Sequence, residues 1–249
     1  MKKSFIYFLL LIFFSSCTKI MYVSDPQISS VKIEDTANIE SSKEIEALIS
    51  PYKKEMKKEM DQVIGSCEKE LMKARPESTL GNWTADLIHK KCEEYYGKPI
   101  DFAVVNYGGL RILSLPAGPI TKSNVFELMP FENALVVLNV DAETIEKLFV
   151  LMAEYGGWPI SHQVQFKIKN GKPIDIQING KPIDKNKMYK IALSDFIANG
   201  GDKCFFFEDK KQELLGKLFR DAIMEHVIEL NEQGKKINAK IEGRVEVVE

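Results

Sequence analysis

Histidine is scarce: the chain of 249 residues holds only three, His89, His162 and His226. They lie far apart and in no ligand-like spacing. No CxxC pair occurs, so no zinc ribbon is expected. No glycine-rich loop runs into GK[ST], which removes a P-loop phosphate cradle. A charge bias is missing as well. The 34 Lys and Arg residues against 36 Asp and Glu leave a net charge of −2, so no bulk attraction to nucleic acid or to an anionic membrane is expected. Any phosphate must be held by a few placed residues. There is also no apolar run of the roughly 20 residues that a membrane-crossing helix takes.

What remains is ordinary for a globular protein, at 45% hydrophobic and 28% charged residues. The N-terminus is different. Lys2 and Lys3 precede an apolar run from Phe5 to Phe14, followed by Ser15, Ser16 and Cys17. That order of charge, apolar stretch and small residues is a secretory signal, and its close on Cys resembles a bacterial lipobox. The expectation is a lipoprotein signal peptide over residues 1–17 with Cys17 acylated, a flexible tether over 18–42 and one domain over 43–249. The chain would then be held to the membrane through its lipid. Thr18-Lys-Ile after the Cys carries no acidic run, which favours a periplasm-facing place in the cell envelope. Cys67, Cys92 and Cys204 remain in the mature chain. Their odd number leaves at least one thiol unpaired, and a Cys67–Cys92 bond is left open.

Lys43 to Arg75 has apolar residues at three- and four-residue spacing (Ile45, Leu48, Ile49, Tyr52, Met56) and predicts a long amphipathic helix or a helix followed by a strand, with a solvated charged face. Leu80–Tyr96 predicts a second helix and Phe102–Val105 a short strand. Asp141 caps a helix running to Ala153. Strands are expected over 135–140, 163–168, 189–193 and 241–248, with hairpin turns at Asn170-Gly171 and Asn179-Gly180. Gln212–Leu230 reads as one helix. The mixture is not a regular βαβ alternation, so the expected class is α+β, a mixed sheet with helices.

Three stretches carry chemistry. The first is Arg75-Pro-Glu-Ser-Thr-Leu-Gly-Asn82, continuing to Ala85-Asp86. The second runs from Asn106 to Asn133 and holds Asn-Tyr-Gly-Gly-Leu-Arg111, Gly118-Pro-Ile-Thr and Pro130-Phe-Glu-Asn. The third ends Asp195-Phe-Ile-Ala-Asn-Gly-Gly-Asp202. A nucleotide presents a flat base, a ribose diol and an anionic phosphate, and Phe131 and Phe196 stand in loops beside Pro or Gly where aromatic rings could grip a base. Taken alone, either ring reads first as core, because Phe is usually buried. Arg111 follows two glycines, Gly108 and Gly109, whose bare backbone lets a ligand approach, and a guanidinium there can fork onto a phosphate.

In this order and spacing, the three stretches resemble the C-terminal domain of the 5′-nucleotidase family over about residues 45–249, and Ile241-Glu-Gly-Arg-Val245 resembles that family's end. The resemblance implies that Phe131 and Phe196 clamp the base and that Asn106 and Asn133 bond to it. It further implies that Asp202 accepts from the ribose hydroxyls and that Arg111 contacts phosphate or ribose. Arg75 resembles an upstream phosphate arginine. This chain departs from the pattern at Tyr107, where the family usually has a third glycine, at Lys203 after the Gly-Gly-Asp, and at Glu132 in the Pro-Phe loop.

The same resemblance makes an absence informative. Family catalysis uses two metal ions on a metallophosphoesterase domain marked by DxH and GNH, and neither motif occurs here. No cofactor is expected in this chain, and divalent metals only on a partner phosphoesterase. The expected function is the nucleotide- or nucleoside-binding specificity half of a split 5′-nucleotidase. The alternative is a binding-only lipoprotein with no hydrolytic role. His89 is expected to be structural, and His162 and His226 to lie at the surface.

Overall fold

The computed structural model describes residues 42–249; the signal segment, Cys17 and nearly all of the expected tether lie outside the described residues. By internal contacts the chain divides into two units, Met1–Leu48 and Ile49–Glu249. Helix α1 (Lys43–Met60) begins in the first and ends in the second. Its apolar positions fall at helical spacing as expected, yet none of its residues is buried, and Ile45, Leu48, Tyr52 and Met56 all stand exposed.

The second unit runs β1 (Val63–Cys67), β2 (Leu71–Met72), α2 (Thr79–Tyr96), β3 (Phe102–Ala103), β4 (Ser114–Leu115), β5 (Gly118–Thr121), α3 (Lys122–Leu128), β6 (Ala134–Asp141) and α4 (Ala142–Glu154). It continues through β7 (Val164–Lys169), β8 (Lys172–Ile178), β9 (Lys181–Pro182), β10 (Met188–Ser194), α5 (Asp195–Ala198), β11 (Gln212–Leu218), α6 (Phe219–Glu232) and β12 (Val245–Val248). Two four-stranded sheets form, in the orders β11-β6-β10-β3 and β12-β7-β8-β9, with the small ladders β1-β5 and β2-β4 beside them. Helices and mixed strands make the expected α+β arrangement.

The first sheet is covered on both faces, which is why β6 reads Leu-Val-Val-Leu with no polar alternation. Side chains alternate across a strand, and here they feed two separate cores. Leu135 and Val137 of β6, Ala192 of β10 and Ala103 of β3 pack with Leu80, Leu87 and Ile88 of α2 and Phe219, Ile223 and Val227 of α6. Val136, Leu138 and Val140, with Ile191, Leu193 and Phe102, pack with Ile145, Leu148, Phe149 and Met152 of α4 and Phe166 of β7. Polar side chains stop the helices where the sequence places them. Ser78 accepts from Gly81 N at the start of α2. Thr121 and Asn124 form a reciprocal capping box at α3. Asp141 Oδ1 accepts from Thr144 N at 2.8 Å at α4.

Two expectations are corrected, and the open cysteine pairing is resolved. Gln212–Leu230 is a strand followed by a helix, because Gly216 takes a positive φ of 66° that no helix contains; Gln212–Leu214 pairs with β6 and the chain turns helical only at Phe219. The open Cys67–Cys92 bond does not form: Cys67, Cys92 and Cys204 are separate buried thiols. His226 is not a surface group. α6 turns it inward, where it is only 9% exposed, whereas His162 is exposed and His89 buried as expected.

Burial, with the nearby Lys90 charge, pushes His226 down to about 4 from an ordinary 6.5. The unfolded chain therefore takes up this proton near pH 6.5 and the folded chain only near pH 4. Between those values the unfolded state binds more protons, so stability rises with pH across the window and is complete above it. At about 1.4 kcal/mol per unit of pKa, the loss on acidification is on the order of 3 kcal/mol. His226→Gln removes the titration, so urea midpoints at pH 7.5 and 4.5 should differ less for the variant than for the wild type. Equal differences for the two would show that His226 is not held neutral by the fold.

Candidate nucleotide site

The strand order decides which loops meet. β10 runs parallel to β3, with Ile191 opposite Phe102 and Ala192 opposite Ala103. It runs antiparallel to β6, with Ser194 opposite Leu135. The chain leaving β3, the chain leaving β10 and the chain entering β6 therefore share one end of the sheet. Those are the segments that carry Asn106-Tyr-Gly-Gly-Leu-Arg111, Phe196 to Asp202, and Pro130-Phe-Glu-Asn133.

At that end lies a cavity of about 260 Å³ lined by Asn106, Gly108, Gly109, Arg111, Phe131, Asn133, Phe196 and Asp202. Seven of the eight expected binding residues thus face one space, although they come from three separated stretches. Phe131 is 40% exposed and Phe196 44%, so neither ring is spent on the core. Asn106, which is buried, donates from Nδ2 to Asp202 Oδ2 at 2.7 Å. This holds the acid and leaves its other oxygen free to accept. The Arg111 guanidinium carbon sits 5.6 Å from the centre of the Phe131 ring, within cation–π range.

Backbone without side chains shapes the walls. A Cβ at Gly201 would lie 2.4 Å from the Phe196 carbonyl oxygen and 2.6 Å from its ring, and one at Gly109 would lie 2.7 Å from Asn106 Oδ1. These glycines let the chain close behind the residues that face the cavity. Asp202 itself adopts a positive φ of 50°, a conformation that Asp tolerates better than most residues. Gly108 differs, since the nearest atom to its missing Cβ is 3.9 Å away.

Arg75 does not line this cavity. Its stem lies 3.6 Å from the place a Gly156 Cβ would take, and its guanidinium stands 3.8 Å from the centre of the Tyr107 ring. Some contributors were not visible in the sequence. Arg220 Nη1 donates to the Pro130 carbonyl at 3.2 Å and Phe219 N to the Asn133 carbonyl at 2.8 Å, so the start of α6 holds the loop that presents Phe131. Reading Gln212–Leu230 as one helix hid this. Phe205, 65% exposed, adjoins Phe196 across a neighbouring cavity of about 440 Å³; only the aromatic run Phe205-Phe-Phe207 hinted at it.

A larger cavity, about 900 Å³, lies elsewhere, between α2, α6 and the segment before β12. It gathers all three histidines, contrary to their scatter in the sequence. Gln163 Nε2 lies 3.2 Å from His89 Nδ1 and 3.1 Å from His162 Nε2. Beside it the buried Arg244 pairs with Asp86 at 2.7 Å and Glu242 at 2.6 Å, tying the chain end to α2. Even so, no group of three or more His, Cys, Asp or Glu side chains able to hold a metal comes together among the described residues.

A family model for the 5′-nucleotidase C-terminal domain matches residues 63–209. UshA of Yersinia enterocolitica is 31% identical over 183 residues, covering 70% of this chain and 32% of that protein. The trifunctional nucleotide phosphoesterase YfkN of Bacillus subtilis is 30% identical over 188 residues, covering 69% of this chain and 12% of that protein. The crystal structure of a 5′-nucleotidase precursor from Thermus thermophilus superposes with a TM-score of 0.67 at 28% identity, covering 82% of this chain and 43% of that one. The chain thus spans a third or less of the length of these curated relatives.

The glycines separate two kinds of effect. Gly201→Ala must displace Phe196 and should destabilise the protein by about 1–3 kcal/mol. Gly108→Ala should leave stability within about 0.5 kcal/mol, because its methyl group enters open space at the cavity wall. Urea midpoints compare the two. A Gly201→Ala protein as stable as the wild type would mean that the loop does not need its close approach.

Proposed function

The chain belongs to the 5′-nucleotidase C-terminal domain family, and on that premise we propose that it is the nucleotide-binding specificity half of a split 5′-nucleotidase, working with a separate metallophosphoesterase chain. The observation that carries this reading is the single cavity into which Phe131, Phe196, Asn106, Asn133, Asp202 and Arg111 converge. Each group has a chemical task. The two exposed rings take the faces of a base, each stack being worth roughly 1–3 kcal/mol. Asn133 offers an amide that both donates and accepts. Asp202, held by Asn106, accepts from the ribose hydroxyls. Arg111 meets the phosphate at the cavity edge, where it has no carboxylate partner among the described residues.

The histidines lie in another cavity, and the described residues bring together no group of three or more ligating side chains. Hydroxide generation at neutral pH is therefore assigned to the partner, and this chain positions the substrate. Positioning of that kind can lower a barrier by several kcal/mol, so specificity resides here even though the bond is cleaved elsewhere. Acylation at Cys17 would place the pair at the cell envelope, facing the periplasm. Among the described residues no helix is long and apolar enough to cross a membrane.

Two outcomes follow. Phe131→Ala and Phe196→Ala should each weaken adenosine binding by about 1–3 kcal/mol in calorimetric titration. Their melting temperatures should fall less than for a buried Phe, whose truncation costs about 3–5 kcal/mol; unfolding of both variants would make these rings core residues and remove the clamp. Phosphate release from AMP should be absent with this chain alone in Mn²⁺, Zn²⁺ or Co²⁺, and should appear when the partner phosphoesterase is added. Turnover by this chain alone that survives repurification would overturn the split reading, and a mixture no faster than the phosphoesterase alone would favour the binding-only alternative.

A further inference from the structure

Arg220 is a buried cation without a counter-ion. It stands in the first turn of α6, directly after Phe219, and is only 8% exposed. Among the described residues no carboxylate comes within ion-pair distance of it, and its Nε has no hydrogen-bond partner. A buried charge in that state is costly, and an apolar side chain of similar size is often no worse for stability. The packing of α6 does not call for the charge either, since Phe219, Ala222, Ile223 and Val227 supply the face that enters the core. A cation at this place needs another reason.

What Arg220 touches is the loop of Phe131. Its Nη1 donates to the Pro130 carbonyl at 3.2 Å, and the Phe131 carbonyl oxygen lies 3.5 Å from the same nitrogen, at the outer limit of a hydrogen bond. The guanidinium carbon lies 4.2 Å from the centre of the Phe126 ring of α3, within cation–π range, so the fork ties the loop to α3 as well as to α6. A second tie comes from the residue before it. A helix leaves its first N–H groups without internal partners, and Leu218 offers α6 no side-chain cap. The Phe219 N–H goes instead to the Asn133 carbonyl at 2.8 Å. Two neighbouring residues of α6 therefore fasten both ends of the segment Pro130–Asn133. Between them stands Phe131, whose ring is too exposed to be fixed by its own packing.

We propose that Arg220 is a positioning residue for base binding, fixing the Phe131 backbone so that the ring stands ready at the cavity before a nucleoside arrives. The inference rests on the base clamp of the preceding section and deepens it. Arg220 does not line the cavity, so it acts through Phe131 alone. A ring that must be ordered during binding loses part of its stacking energy to that ordering, and a ring held in place beforehand does not. Lysine is a poor substitute, because a single ammonium lacks the planar fork that meets a carbonyl and a ring together.

The test is a double-mutant cycle, read by calorimetric titration of the purified chain with adenosine. Arg220→Met keeps a long side chain and removes the fork. With Phe131 present it should lose about tenfold in affinity, within the range of one base stack. In a Phe131→Ala background, where no ring is left to place, the further loss should be less than about twofold. Arg220→Lys should fall between Arg220→Met and the wild type. A role confined to stability moves urea midpoints and leaves no such coupling between the two positions. Should Arg220→Met fail to fold, Arg220→Lys carried through the same cycle decides. Equal losses in the two backgrounds, or an Arg220 variant that binds adenosine as the wild type does, would overturn the positioning role and leave the base clamp standing. A wild type that binds no adenosine, or a Phe131→Ala protein that binds it unchanged, would overturn the clamp and this inference with it.

Discussion

The pairing of β6 with β10 is the constraint on which the rest of this unit depends. Seven consecutive positions are in register, from Met188 opposite Asp141 to Ser194 opposite Leu135. The buried apolar side chains on these strands are divided between two cores, so a slip of one residue would send each core's contents to the wrong face. That register also sets the site. Phe131 lies just before β6 and Phe196 just after β10, and only this alignment brings the two loops to the same end. The parallel partner β3 then delivers Asn106 and the loop to Arg111 beside them. The cavity is thus a consequence of how the sheet solves its packing, with binding residues placed on loops that a rigid scaffold holds.

The whole chain is nearly neutral at −2, and some of its cations are locally paired, as Lys91 is with Glu94, Glu225 and Glu229. Arg244, deeply buried, is paired twice. Lys73 and Arg75 lie against the Tyr107 ring instead.

The sequence exposed those parts of the structure that rest on local physics. Caps at Thr121 and Asp141, the hairpin turns at Asn170 and Asn179, and the apolar run of β6 all follow from rules that act within a few residues. The site residues were legible because they sit in loops beside Gly and Pro, in stretches that resemble a family. What stayed hidden depends on contacts far apart in the chain. Arg220 supports the Phe131 loop across roughly 90 positions of sequence, and nothing near it announces that task. His226 is expected at the surface from sequence, but α6 turns it inward. Gly216, at a positive φ inside Gln212–Leu230, is the one local sign of the break between strand and helix. Arg75 was placed in the cavity by resemblance, and the ring of Tyr107 holds it to one side.

The most direct test of the account is a crystal structure of the chain soaked with AMP. The account predicts the base lying between the rings of Phe131 and Phe196, the ribose against Asp202, and the phosphate against Arg111. Density for the ligand in the cavity that gathers His89, His162 and His226, with the Phe131–Phe196 cavity empty, would contradict it.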